Sequence, residues 1–283
     1  MELEGVGKFS VDLALEAHLN SQEEIFNACK GLVDTAVDGG TGSVVAFGQT
    51  GAGKTFMMFG PCPGQEAPTS CLEGLIPRVA TALFGRLASK PLLASRVAVS
   101  VMEIYGTQLM DLLGADKGKP RPRVSQRRNG AITVENVSEV ACSNAHDVLD
   151  ALARGWQRCC VTTTNLSRRS TLCHVITILK IESKDAGTGE TVRGKLALCD
   201  LAGSETTATR NTSGLDVLGD VMESLAKRAR HIPFRNHPLT HVLQDCLCQP
   251  SKTVFLMACS PASSNADATR NTLHFASRCL GEC

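Results

Sequence analysis

The sequence predicts an α/β fold in which a mixed, mostly parallel central β-sheet is covered by helices on both faces. Three observations lead there. Short apolar runs of strand length, such as residues 44–47 and 252–260, alternate with segments whose apolar residues recur at helical spacing. The strand at 44–47 runs into a glycine-dense turn and then an apolar helix, the join of a β-turn-α unit. Strands also outnumber what a strictly alternating β-α scheme supplies, so the sheet is expected to be mixed.

The elements follow in order. Residues 21–39, SQEEIFNACKGLVDTAVDG, place Ile25, Phe26, Cys29, Leu32, Val33 and Val37 at helical spacing. Ser21 is the expected N-cap with Glu24 three residues on, and one helix is expected. A short buried strand at 44–47 feeds a helix from about Lys54. Residues 96–105, RVAVSVMEIY, read as a strand, and 109–113 as a short helical turn. Residues 122–140 read as a basic loop followed by a strand, and 144–156 as a helix. HVITILKIES and TVRGKLALCD are strands separated by KDAGTGE, a hairpin-like connection. Helices are expected at 215–230 and 239–247, a core strand at 252–260 and a closing helix at 266–280.

The 283 residues are 43% hydrophobic and 20% charged, which fits one large α/β domain or two small ones. The Gly- and Pro-rich patches at 60–68 and 114–122 read as surface loops, so a single domain over 1–283 is expected. A formal net charge of +1 argues against bulk attraction to nucleic acid or anionic membrane. Neither nucleic acid nor membrane insertion is expected, and a polyanionic partner must be met by a local basic patch. The start, MELEGVGKFSVD, lacks the basic and apolar regions of a secretory leader, and no apolar run reaches membrane-spanning length. The thirteen cysteines are scattered, often inside apolar runs, and read as reduced, mostly buried thiols.

GQTGAGKT, residues 48–55, satisfies G-x-x-x-x-G-K-[ST]. Gly48, Gly51 and Gly53 permit dihedrals that turn successive N–H groups inward, so Gly48, Gln49, Thr50, Gly51, Ala52 and Gly53 wrap a phosphate chain. The following helix adds its dipole. Lys54 supplies a charge to the β- and γ-phosphates and Thr55 a hydroxyl to Mg2+, while Phe56 reads equally as an aromatic face for a base or as a core residue. Such a loop needs a carboxylate at the end of a neighbouring strand. KLALCDLAGSE offers Asp200, with Gly203 placed to sense the γ-phosphate through its N–H. The D-x-x-G spacing also occurs in GTPases, but no N-K-x-D segment for guanine is present.

Together these stretches resemble the kinesin motor domain, over about residues 9 to 279. The first helix, strand and phosphate loop are similar to that family's, as are VMEIYGTQLMDLL, DLAGSE and the C-terminal third from HIPFRNHPLTHVLQDCL onward. The resemblance implies a P-loop NTPase of the kinesin motor type, with ATP and Mg2+ as cofactors and a cytoplasmic, cytoskeletal location on microtubules. It implies catalytic roles for Asp200, Gly203, Glu205, Ser170 and Thr171. Mg2+ falls to Thr55, Thr171 and Asp200, partly through water. Microtubule (tubulin) binding falls to Lys227, Arg228, Arg230, His231 and Arg235.

The departures are specific. Where the family's switch I reads N-x-x-S-S-R-S-H, this chain reads SRRSTLCH up to His174. Leu172 stands in the place of the arginine that pairs, in the family, with the switch II glutamate, here Glu205. The segment after Glu205 is shorter than the family's, and Pro238 and His241 stand where lysine and arginine are common. By resemblance the chain also lacks the first strand and the neck linker. Two readings follow: a microtubule-stimulated ATPase, or an impaired pseudo-motor that binds nucleotide and docks on microtubules or a partner motor subunit without productive hydrolysis.

Overall fold

The computed structural model describes residues 2–3, 7–16, 21–61, 72–90, 92–114, 120–128, 130–161, 173–205 and 214–280. In chain order the strands are β1 (Glu2–Leu3), β2 (Gly7–Lys8), β3 (Thr41–Gly48), β4 (Leu93–Tyr105), β5 (Gln108–Asp111), β6 (Arg123–Gln126), β7 (Ile132–Glu135), β8 (Val140–Cys142), β9 (Cys173–Asp185), β10 (Thr191–Asp200) and β11 (Lys252–Ala258). The α-helices are α1 (Ser21–Cys29), α2 (Gly31–Val37), α3 (Lys54–Phe59), α4 (Leu75–Ala88), α5 (Ala145–Val161), α6 (Gly214–Ala226), α7 (Pro238–Leu247) and α8 (Ala266–Leu280).

Seven strands form the central sheet in the order β11–β3–β10–β9–β4–β5, with β8 also paired to β4. The sheet is mixed, and β3, β4, β10 and β11 run the same way. Parallel pairing itself is confined to β11–β3–β10. The pairings of β10 with β9, β9 with β4, and β4 with β5 and β8 are antiparallel. The reason lies in the connections: a parallel pair needs a long crossover, whereas a tight turn folds the chain straight back. Gly106 and Thr107 alone separate the paired Tyr105 and Gln108, with Gly106 at φ 56°. This corrects the helical turn expected at 109–113, which is mostly the return strand β5.

A second correction concerns the first helix, which breaks into α1 and α2. Lys30 keeps right-handed helical dihedrals, and the Val33 amide bonds to its carbonyl at 3.0 Å, an i to i−3 turn. Gly31 follows, where a helix interior loses about 1 kcal/mol relative to alanine.

The sheet is apolar on both sides, as a centrally placed sheet must be. Along β3, Val44 and Ala46 face the cluster built with α1, α2, α4 and α5, while Val45 and Phe47 face the one built with α6, α7 and α8. β10 repeats the alternation, with Leu196 and Leu198 on the first face and Ala197 and Cys199 on the second. Phe275 of α8 stacks on Phe47 with ring centroids 3.9 Å apart. Cys29, Cys142, Cys199 and Cys246 are buried, and burial pushes each thiol up. Among the described residues no helix is long and apolar enough to cross a membrane.

Register places the chemistry. Ala46 pairs with Asp200 and Gly48 with Ala258, so the loop after β3 and the turn after β10 leave the C-terminal ends of adjacent parallel strands side by side.

Candidate nucleotide-binding site

The loop between β3 and α3 begins where no side chain fits. A Cβ on Gly48 would lie 2.2 Å from the Ala258 carbonyl oxygen, so the close approach of β11 requires glycine there. Gly51 and Gly53 stand at φ 81° and 97°, and α3 starts directly afterwards. The loop is thus the strand-to-helix cradle that its sequence predicts.

Lys54 is 5% exposed, and its Nζ donates to the carbonyls of Gly48 and Gln49, each at 2.8 Å. Burial pushes its ammonium below the ordinary range, while the Asp200 and Glu205 carboxylates pull it back up. A buried cation at the head of α3, beside the glycine-rich loop, is placed to meet a phosphate.

Thr55 Oγ1 donates to Asp200 Oδ2 at 2.6 Å. The other oxygen, Oδ1, is buried and without a hydrogen-bond partner. Burial raises the Asp200 carboxyl to about 6, against the Thr55 hydrogen bond and the Lys54 charge. A hydroxyl beside a carboxylate with one unsatisfied buried oxygen fits a hard divalent cation such as Mg2+. Thr55 and Asp200 would hold it, and it would screen phosphate charge.

The turn after β10 closes on the loop. Glu205 Oε2 accepts from the Thr50 amide at 2.9 Å. Burial would raise the Glu205 carboxyl, but hydrogen bonds from Thr50 and from its own amide, with the Lys54 charge, hold it below its usual value. Gly203 permits this closure. A Cβ there would lie 2.2 Å from Thr50 Oγ1 and 2.4 and 2.5 Å from the two Glu205 oxygens.

His174, at the start of β9, is 5% exposed, and its Nδ1 accepts from the Ala202 amide at 3.1 Å. Burial, then His237 and Lys54, push it down to about 3, so the ring is neutral and able to accept. It ties the end of the segment identified by resemblance as switch I to the turn after Asp200. The sequence shows His174 only as a motif match, because its partner lies 28 residues away in the turn after β10.

The structure therefore brings Gly48 to Thr55, Asp200, Gly203 and Glu205 together. Ser170, Thr171 and Leu172 lie outside the described residues, as does most of the shortened segment after Glu205. Phe56 is 39% exposed on α3, which leaves its ring open to a ligand rather than in the core. Gln22 Nε2 donates to the Phe56 carbonyl at 2.7 Å and anchors α1 to α3, a contact across 34 residues with no local signal.

The predicted basic cluster lies elsewhere. Lys227, Arg228, Arg230, His231 and Arg235 are all exposed along the connection from α6 to α7. Glu223 pairs with Lys227 at 2.5 Å and with Arg278 at 3.0 Å, which offsets part of that charge. Arg235 donates to Gln126 on the β6–β7 hairpin at 3.3 Å. That hairpin exposes Arg123, Arg127 and Arg128, and Arg121 is exposed just before it. The sequence shows these arginines as a basic loop; only the tertiary contact joins them to the cluster.

Comparison with known proteins agrees with this geometry. A profile of the kinesin motor domain matches residues 4–280. The chain is 38% identical over 274 residues to Kinesin-like protein KIN-14E of Arabidopsis thaliana, covering 91% of this chain and 21% of that protein. It is 34% identical over 272 residues to a kinesin heavy chain of Botryotinia fuckeliana, covering 91% and 30% respectively. It thus spans less than a third of the length of these relatives. A solved structure of a fast kinesin superposes with a TM-score of 0.82 at 32% identity, covering 92% of this chain and 76% of that one. A P-loop carried on a mixed sheet, closed by the turn after β10 and matched by the family profile over almost its whole length, places this chain in the kinesin motor domain family.

Proposed function

We propose that this chain is a single motor domain that binds Mg–ATP in the 48–55 cradle and couples nucleotide state to attachment on microtubules. The observation that carries the reading is the convergence, at the C-terminal ends of β3 and β10, of the buried Lys54 with the Thr55–Asp200 pair, in which Asp200 Oδ1 has no hydrogen-bond partner. A triphosphate with its cation would engage both. Asp200 would orient metal-bound water, Gly203 would offer its N–H to the γ-phosphate, and Ser170 and Thr171 would add hydroxyls. Phe56 would lie against the base.

The basic surface fits the track. Lys227, Arg228, Arg230, His231 and Arg235 continue through Gln126 into the hairpin arginines, and such a face suits acidic tubulin. Attachment there puts the protein on the cytoplasmic cytoskeleton.

A second reading has its own support: a pseudo-motor that binds nucleotide and track, or a partner motor subunit, without productive hydrolysis. Leu172 offers no charge to Glu205, whose carboxylate engages the loop itself. Steady-state ATPase with and without microtubules, alongside co-pelleting, separates the two. Stimulated turnover with pelleting establishes the motor, and pelleting without stimulation the pseudo-motor. Arg127→Glu combined with Arg128→Glu is expected to weaken pelleting as much as Arg230→Glu does, more strongly at low salt. Unchanged pelleting in both variants would remove the basic face from the proposal.

A further inference from the structure

We propose that Glu205 is an internal competitor for the outermost phosphate, selecting diphosphate over triphosphate in the nucleotide site. The inference rests on the reading of 48–55 as a nucleotide cradle and adds a specificity-determining residue to it. Its basis is where the carboxylate sits. Glu205 Oε2 takes the Thr50 amide at 2.9 Å, one of the inward-facing donors that the loop exists to offer an anion.

The space is filled as well as the donor. The point at which a Gly203 Cβ would stand lies within 2.5 Å of both Glu205 oxygens and 2.2 Å from Thr50 Oγ1. Carboxylate, hydroxyl and main chain are therefore packed together on the side of the loop that faces the turn after β10. The Thr50 amide donor that a further phosphate would meet on this side of the loop is therefore covered by the Glu205 carboxylate. Lys54 Nζ lies on the other face of the same peptide: it donates to the carbonyls of Gly48 and Gln49, and in the trans Gln49–Thr50 peptide the N–H points opposite to the carbonyl. A diphosphate seated over Lys54 leaves the Thr50–Glu205 contact intact, whereas a third phosphate displaces it.

Charge acts in the same direction. Lys54 already feels the carboxylates of Asp200 and Glu205, so a γ-phosphate brings further negative charge against Glu205 before it gains a donor. The apparent affinity for triphosphate is lowered by the fraction of molecules in which Glu205 has withdrawn, and diphosphate carries no such penalty.

Equilibrium binding of Mg–ADP and of a non-hydrolysable Mg–ATP analogue to the whole chain tests this, in wild type, Glu205→Ala and the isosteric Glu205→Gln. Loss of one charge-assisted hydrogen bond predicts an affinity gain of about tenfold for the triphosphate in Glu205→Ala. A smaller gain is expected in Glu205→Gln, and a change within about twofold for ADP in both. Equal changes for the two nucleotides, or none, overturn the proposal. The glutamine variant decides the matter if truncation to alanine disturbs the packing around Gly203. If wild type binds neither nucleotide, the cradle reading itself fails. If it binds both with an unaltered preference in the variants, only the competitor role fails.

Discussion

Replacing Lys54 with methionine separates what this side chain does for binding from what it does for the fold. The ammonium is buried, and burial holds it below its ordinary range. Between the lowered folded value and the ordinary one, the unfolded chain binds more protons, so stability rises with pH across that window. Below the folded value, where the ammonium is protonated in both states, the cost of the buried charge is fully present. Lys54→Met removes that cost, fills the volume of the stem, and leaves the Gly48 and Gln49 carbonyls without a donor. These effects oppose one another, and the unliganded melting temperature is expected to move by no more than about 3 °C, which is about 1 kcal/mol for a domain this size. Binding has no such compensation. A unit charge about 4 Å from a phosphate, at an effective dielectric of about 20, contributes about 4 kcal/mol, or roughly a thousandfold in affinity. The assay is thermal unfolding with and without Mg–ATP. At one hundred times its dissociation constant, nucleotide stabilises the wild type by about 2.7 kcal/mol, a shift of roughly 5–10 °C. At the same concentration the variant should shift by less than about 1 °C. A wild-type shift retained in Lys54→Met would refute the assignment of Lys54 to the phosphates.

Asp200→Asn tests the metal. The folded carboxyl titrates at about 6 against an ordinary 3.8, so the folded state holds the extra proton between these values and stability falls as pH rises through that window. The variant should flatten the slope in urea denaturation across that range and gain on the order of 3 kcal/mol at neutral pH. It should also lose the magnesium dependence of nucleotide binding; an unaltered slope would count against the burial argument. Leu172→Arg should raise ATP turnover, measured as phosphate release, by giving Glu205 a cationic partner in place of the Thr50 amide. If turnover stays flat while the fold is intact, the missing charge was not the limitation.

Much of the site was legible in the residues because its signals are local. Eight consecutive residues encode the cradle: glycines where the backbone must turn or be approached, then a cation and a hydroxyl. Asp200 was legible because an apolar strand ends on it. Local pattern misled where tertiary pairing decided. Residues 109–113 have the apolar spacing of a helical turn, yet β4 recruits most of them as a strand once Gly106 and Thr107 reverse the chain. The helix expected from Ser21 onward is interrupted at Lys30, whose carbonyl takes the Val33 amide in an i to i−3 turn.

What the sequence determined by itself is the residue types available: a glycine-dense loop between a strand and a helix that ends in Lys-Thr, a carboxylate at a strand end, and a basic stretch. What only the tertiary structure decided is which of these groups meet. Glu205 on the Thr50 amide, His174 on the Ala202 amide and Arg235 on the hairpin of Gln126 join residues separated by 155, 28 and 109 positions. No local pattern encodes such contacts, because they depend on strand register and on how closely glycine lets two main chains approach. The difference follows from range: dihedral preference and apolar spacing act over a few residues, while a hydrogen bond between distant segments exists only after the sheet has set their separation.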